Sequence, residues 1–336
     1  MRKFALKLSG TAATLLFVFV LLTCPFFEAA AEGKELIAKG PAPFTAYPAL
    51  DSEGFLSPGQ AEQEFIHFDR KNGLWIYISK DLRVEISRFT GTFRRKNLVW
   101  YISHISFRDG QHFRAFMAKP GSPKYQMRPS QIAQNHRVVY AQNGDLFSWR
   151  LYKKERPGLI IRDGKLLYEN TYTKPVAAVP PLDELALFPD GQVEMNTPGT
   201  FTAANYLARG ALDVFAFGPI LFKDRVKDDR LDKSFTYLEP RSALGVIGPG
   251  RFVGIMVEGR NKRSVGANLQ FVADRLLEEG CHEAYTLDGG QTAAMLFMGE
   301  EVMSPGIYSG YQKARKQQDI IGIGFSDQVP LQKKGK

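Results

Sequence analysis

From Glu64 onward apolar and polar positions alternate with a period of two, the pattern of β-strands. Residues 74–79 and 97–106 are dense in aromatic and β-branched side chains, which suit a pleated, half-buried surface. Residues 138–140 and 159–161 predict two further short strands. Two segments switch to the helical period. In 202–210, Thr202 is placed to cap the start and Gly210 to take the left-handed position past the end. In 268–280, Leu269, Val272, Ala273, Leu276 and Leu277 form one apolar stripe, Asn268 caps the start and Gly280 ends it. Each helix runs into an apolar stretch, 213–221 and 284–287, so a helix-then-strand unit is used twice. Strands dominate with helices interspersed, and the expected fold class is α+β with a mixed, strand-rich sheet core.

At 336 residues the chain is long enough for one large domain or two modest ones. Residues 1–31 read as a signal peptide. Arg2, Lys3 and Lys7 form a positive start, 11–23 is an apolar stretch too short to span a membrane comfortably, and Ala29-Ala30-Ala31 offers a small-residue cleavage site. Export with cleavage after Ala31 is expected. The rivals are a retained membrane anchor and lipidation of Cys24, against which stands Thr23, where Gly or Ala is preferred. Residues 32–60, rich in Pro, Gly and Ala, read as a linker or an irregular N-terminal wrap. A strand-rich region, 61–130, then precedes the domain at 131–327, and 328–336 is a basic tail.

The formal charge is +9, and removal of Arg2, Lys3, Lys7 and Glu28 with the leader leaves +7. Basic residues are mixed with acids, as in 223–230, and no nucleic-acid module is present, so nucleic acid is not an expected partner. A basic balance is also compatible with an anionic surface or phosphate-bearing substrates. Cleavage would leave Cys281 alone, with no internal disulfide, and its place after Gly280 suits a small buried hydrophobe. His67, His104, His112, His136 and His282 show no ligand spacing, and no glycine-rich nucleotide motif occurs, so neither a metal nor a cofactor is expected.

The chemistry-bearing residues recur where apolar runs give way to glycine. They are Asn143-Gly144-Asp145 with Phe147, then Phe217-Gly218-Pro219, then Pro240-Arg241-Ser242-Ala243 with Gly245. Glu258-Gly259-Arg260 and Leu287-Asp288-Gly289-Gly290-Gln291-Thr292 complete the series. A strand that ends in a carboxylate and two glycines can also be a plain hairpin turn, so each string alone says little. In this order the set resembles the phosphodiester glycosidase family, over residues 134–324. The helix at 268–280 falls between the last two motifs, as the family pattern requires. Three departures stand out: Glu258 where Asp is usual, Gln291 for a third glycine, and Ala293 and Ala294 for hydroxyl residues.

The resemblance implies hydrolysis of a glycosyl-1-phosphodiester. Such a reaction passes through an oxocarbenium-like state and releases a good leaving group. It needs a cation for the phosphate and carboxylates for the anomeric carbon. Arg241 is the first choice for phosphate and Arg260 the second. Asp288 is the leading carboxylate, with Asp145 and Glu258 as partners. Asn143 and Thr292 are candidates to bond sugar hydroxyls, and Gly144, Gly289 and Gly290 to admit a ligand close to the backbone. The partner implied is a phosphate-bearing saccharide or polymer, with membrane contact only through an uncleaved N-terminal anchor. The rival class is a non-catalytic saccharide-binding or polymer-assembly protein, favoured by the alanines at 293 and 294. Aromatics before residue 130, among them Trp75, Tyr77, Trp100 and Tyr101, are core strands or, alternatively, a separate binding platform.

Overall fold

The computed structural model describes residues 38–108, 110–145, 158–169, 182–233, 235–308 and 311–332. The expected signal peptide, Phe147 and the last residues of the basic tail lie outside them. The chain divides into residues 1–35, also outside, and one unit from 36 to 336.

Among the described residues, three large antiparallel sheets and a two-stranded ribbon build this unit. The largest has ten strands. Its centre is Glu283–Leu287, Arg241–Gly248, Arg251–Val257, Lys96–Phe107 and Leu82–Phe93, in that spatial order. A second sheet of five strands contains Asp183–Leu187, Asp213–Phe217 and Ile160–Arg162. A third, also of five, contains Met295–Phe297, Val138–Asn143 and Asp319–Phe325. Every ladder among the described residues is antiparallel, and strand outweighs helix at 44% to 11%. The fold is therefore closer to mostly β than to the α+β class expected. Helix-then-strand units had suggested parallel crossovers. Instead, both helices lead into strands that pair antiparallel with their neighbours.

One core joins the three sheets. Trp75, Val84 and Tyr101 from the large sheet meet Tyr140 and Ile321 from the third and Leu185 and Phe215 from the second. On the other face of the large sheet lies the helix Leu269–Glu278, packing Val272, Ala273 and Leu276 against Ile255, Val257 and Leu221. Asn268 caps this helix by accepting the Phe271 amide at 3.0 Å, and Thr202 caps Ala203–Ala208 by accepting that of Asn205 at 3.2 Å. Truncating fully buried Leu276 to Ala would leave a cavity and cost about 2–5 kcal/mol.

Residues 61–130 share this body. Lys96–Phe107 pairs residue for residue with Arg251–Val257, and Trp75, Tyr77, Trp100 and Tyr101 are buried core residues. The aromatic platform is thereby excluded. The earlier segment is a wrap, with Phe44, Tyr47, Leu50 and Leu56 packed on Leu74, Ile76 and Ile78. Cys281 is buried, and desolvation pushes its thiol up to about 12, as befits a packing residue.

The expected strand at 213–221 is divided. Asp213–Phe217 belongs to the second sheet and Ile220–Lys223 to the largest. Gly218, at φ +80, makes the transfer, and a Cβ there would meet the Asp183 side chain at 2.9 Å. The Phe217 amide donates to the Tyr285 hydroxyl at 2.7 Å, and that hydroxyl donates to the Asp183 carbonyl at 2.7 Å. The Phe-Gly-Pro segment thus turns the chain from one sheet into the next.

Candidate active site

Strand pairing brings the motifs together. Ser242 lies opposite Leu287, and Arg241 opposite Val257. Arg241 therefore starts a strand flanked by two others that end in Asp288 and Glu258 respectively. The third sheet contributes Asn143, whose strand runs into Gly144 and Asp145.

Asn143 is fully buried and occupied on both sides of its amide. Its nitrogen donates to the Asp288 carbonyl at 2.8 Å, and its oxygen accepts the Ala294 amide at 3.0 Å. It splices the 288–294 loop to the third sheet, a positioning task rather than the sugar contact expected from sequence. Gly144 is likewise needed by the protein itself: a Cβ there would lie 2.1 Å from an Asp319 carboxylate oxygen. Gly289 donates its space to Pro240, whose carbonyl would be 2.8 Å from an added Cβ. Gly290, at φ +63, donates its amide to that same carbonyl at 2.9 Å.

Asp288 is part-buried just past the end of its strand. Desolvation pushes its carboxyl up to about 6, against the hydrogen bond from Thr292, the positive charge of Arg315 and the Gly289 amide; the charge of Asp145 pushes the same way as burial. At neutral pH most of it is ionised, with a basicity suited to proton transfer. Thr292 is buried, and its hydroxyl also receives Arg315 at 3.4 Å. Arg315 was not anticipated. It lies 27 residues downstream of Asp288 in an unpatterned loop, so nothing in its neighbourhood marked it.

Arg241 is also part-buried, and burial pushes its guanidinium down to about 10, with Glu239 opposing and Arg260 reinforcing. It remains cationic at neutral pH. Its Nε donates to the Ala267 carbonyl at 3.0 Å and one terminal nitrogen to the Tyr237 carbonyl at 2.8 Å. Among the described residues it forms no ion pair with a carboxylate, in contrast to Arg260, which pairs with Glu239. The Arg260 guanidinium lies against Gly290, within 3.4 Å of where a Cβ would stand.

Asp145 is buried, accepting the Ala216 amide at 2.8 Å and Arg162 at 3.3 Å. Arg162, followed by Asp163 and Gly164, has the local composition of a loop charge. It is instead almost fully buried, bound also to Asp319 at 2.9 Å and lying 3.8 Å over the Phe215 ring. Burial opposes its charge, but Asp319 and Asp145 hold its pKa well above the ordinary value. Asp145 and Asp319 thus share one buried arginine, which pairs both carboxylates away from solvent.

Glu258 is not brought to the surface. It is fully buried, with both oxygens occupied by protein donors. Tyr101 donates to it at 2.9 Å, the Ser304 amide at 2.9 Å, and Arg263 through two nitrogens, one at 2.6 Å. It anchors the 259–266 loop and does not join the candidate catalytic set. Ala293 and Ala294 are buried too, so hydroxyls there would face protein. Among the described residues no three His, Cys, Asp or Glu side chains converge as a metal site.

Arg241, with no ion pair among the described residues, thus stands beside the basic carboxylate of Asp288. The chain belongs to the phosphodiester glycosidase family, whose model matches residues 136–324. Membership points to hydrolase chemistry. Of individual proteins, the chain is similar to the SPbeta prophage-derived uncharacterized protein YomE of Bacillus subtilis strain 168. They are 31% identical over 205 residues, 58% of this chain and 29% of YomE. The chain thus spans less than a third of that relative's length. Its fold is similar to the catalytic domain of zebrafish N-acetylglucosamine-1-phosphodiester alpha-N-acetylglucosaminidase, solved auto-inhibited by its pro-peptide. The TM-score is 0.59 at 18% identity, over 73% of this chain and 84% of the other.

Proposed function

We propose that this protein is an exported hydrolase that cleaves the bond between an anomeric carbon and phosphate in a glycosyl-1-phosphodiester. The single observation that carries the reading is Asp288, its carboxyl raised to about 6, at a strand end beside Arg241. Arg241 offers a planar donor fork to the phosphate of the leaving group, which departs as an anion and needs little protonation. Asp288, ionised, acts at the anomeric carbon directly or through a water whose proton it takes, and stabilises the positive charge that develops there. Asp145, paired with Arg162, is the second carboxylate of the site. Thr292 and Arg315 fix the orientation of Asp288.

Sugar–phosphate links of wall polymers or exopolysaccharide are the proposed substrates. The +7 charge left after removal of the leader supports such polyanions, and the leader pattern of residues 1–31 supports export. N-terminal sequencing of the secreted protein is expected to begin at Glu32; a retained Met1 would refute cleavage.

The function is tested by release of free sugar from N-acetylglucosamine-α-1-phosphodiester and glucose-1-phosphodiester substrates, with the wild type and Asp288→Asn. Turnover that disappears in the variant is the expected result. Saccharide binding without turnover on any such substrate would favour the non-catalytic binding protein.

A further inference from the structure

A groove of about 630 Å³ runs along the outer end of the hairpin formed by Leu82–Phe93 and Lys96–Phe107. Lys39, Arg88 and Arg263 line it with Thr90, Thr92 and Asn97, and no Asp or Glu does. Arg263 is paired with Glu258, so Lys39 and Arg88 supply the groove's uncompensated charge. Arg88 donates to the carbonyls of Arg70 and Lys71, at 3.0 and 2.7 Å, and neither Arg88 nor Lys39 forms an ion pair among the described residues.

The hairpin tip extends this charge. Arg94, Arg95 and Lys96 are all exposed. Arg94 and Arg95 occupy both left-handed positions of a two-residue turn, at φ 49 and 63, where Asn-Gly is the favoured pair. The hairpin at 223–226 has the same geometry at Asp224 and Arg225, but there Arg225 bonds the carbonyls of Cys281 and Leu277 behind the helix. No comparable contact explains Arg94 and Arg95. Neither makes a hydrogen bond or ion pair among the described residues, and Arg94 only rests over the Phe93 ring. Disfavoured backbone held by charged side chains without a structural task points to a ligand.

The groove also leads to the site. The Val99 amide donates to Ser264 Oγ at 3.0 Å and the Val265 amide to the Asn97 carbonyl at 3.1 Å. Those bonds fasten the hairpin to the 260–264 turn, whose first residue, Arg260, lies against Gly290. A strip of basic side chains thus links the Gly289-Gly290 turn to the hairpin tip, with Arg260 and Arg263 neutralised by Glu239 and Glu258 and the net positive charge lying at Arg88, Lys39 and the tip.

We propose that this strip binds the continuing chain of a phosphate-bearing polymer beside the bond to be cleaved. Resting on the hydrolase reading above, this makes the substrate class a polyanionic chain rather than a small diester. Spaced cations, hydroxyls and one amide suit phosphates separated by sugar or polyol units.

The test measures binding of long-chain inorganic polyphosphate to the purified protein at 50 and 300 mM NaCl, apart from any turnover. The charge-reversed variant Lys39→Glu/Arg95→Glu/Lys96→Glu is compared with Lys119→Glu/Lys124→Glu/Lys165→Glu, an equal change of net charge at exposed positions elsewhere. Expected are a loss of affinity of at least tenfold at 50 mM salt in the first variant only, a flatter salt dependence, and unchanged kcat/KM on a small diester. Equal losses in both variants would reduce the effect to net charge and overturn the proposal. So would tighter binding to phosphatidylglycerol/phosphatidylcholine vesicles than to polyphosphate, which would make the strip a membrane contact. Asp288→Asn separates the two readings: polyphosphate binding survives in it if the groove is correctly assigned, whether or not its turnover is lost.

Discussion

Asp288 and Glu258 look alike in sequence and differ in kind in the structure. Each ends an apolar strand of the large sheet, each is followed by glycine, and the two strands flank the one that begins at Arg241. Glu258 is fully buried under Tyr101, Arg263 and the Ser304 amide. Asp288 is part-exposed, with no comparable cationic clasp, and its carboxyl is pushed up to about 6. A carboxylate whose lone pairs are all occupied stabilises a loop, whereas one left short of donors retains basicity for chemistry. The contrast assigns Glu258 to architecture and leaves Asp288 as the carboxylate proposed for reaction.

The sharpest way to break this comparison is activity. Asp288→Asn is expected to lower kcat about 10³-fold while saccharide binding persists, and the wild-type rate should rise with pH through about 6 as the carboxyl ionises. A flat profile across pH 5–7 with an active variant would remove Asp288 from the mechanism. Glu258→Gln should do the reverse. Leaving Arg263 and Tyr101 without their anion destabilises by about 3 kcal/mol, read by denaturant unfolding, with turnover per folded molecule changed less than tenfold.

Arg241→Lys probes the residue between them. It keeps the charge and loses the fork, so kcat/KM for a diester should fall about 10- to 100-fold with little change in stability. The smallest effect concerns pH and stability. The folded-state pKa of Asp288 is raised, so its ionisation opposes folding increasingly as pH rises from the unfolded value through about 6. Asp288→Asn should therefore gain about 1 kcal/mol at pH 7.5, discounted for partial exposure, and gain nothing at pH 4. Thermal melts at the two pH values measure this. A gain of equal size at both would trace to packing instead.

Asn143 shows how far a motif can be read. Its place at a strand end before Gly144 was legible, because strand period and glycine are local signals. Its task was not, since the Asp288 carbonyl and Ala294 amide that it joins are about 150 residues away in sequence. Arg162 was illegible for the same reason. Beside Asp163 and Gly164 it has the composition of a surface turn, and only the meeting of Asp145, Asp319 and Phe215 makes it a buried centre.

The sequence by itself determined the two capped helices, most of the strand ends, the family and a small group of strand-end candidates for the chemistry. Helix caps, side-chain periodicity and glycine conformations act over a few residues, so a linear reading captures them. Only the tertiary structure decided that all ladders among the described residues are antiparallel, that 213–221 is divided between two sheets, and that 61–130 is part of the same body. It also decided which carboxylates remain available, because burial and hydrogen-bond occupancy depend on groups that folding brings together from distant parts of the chain.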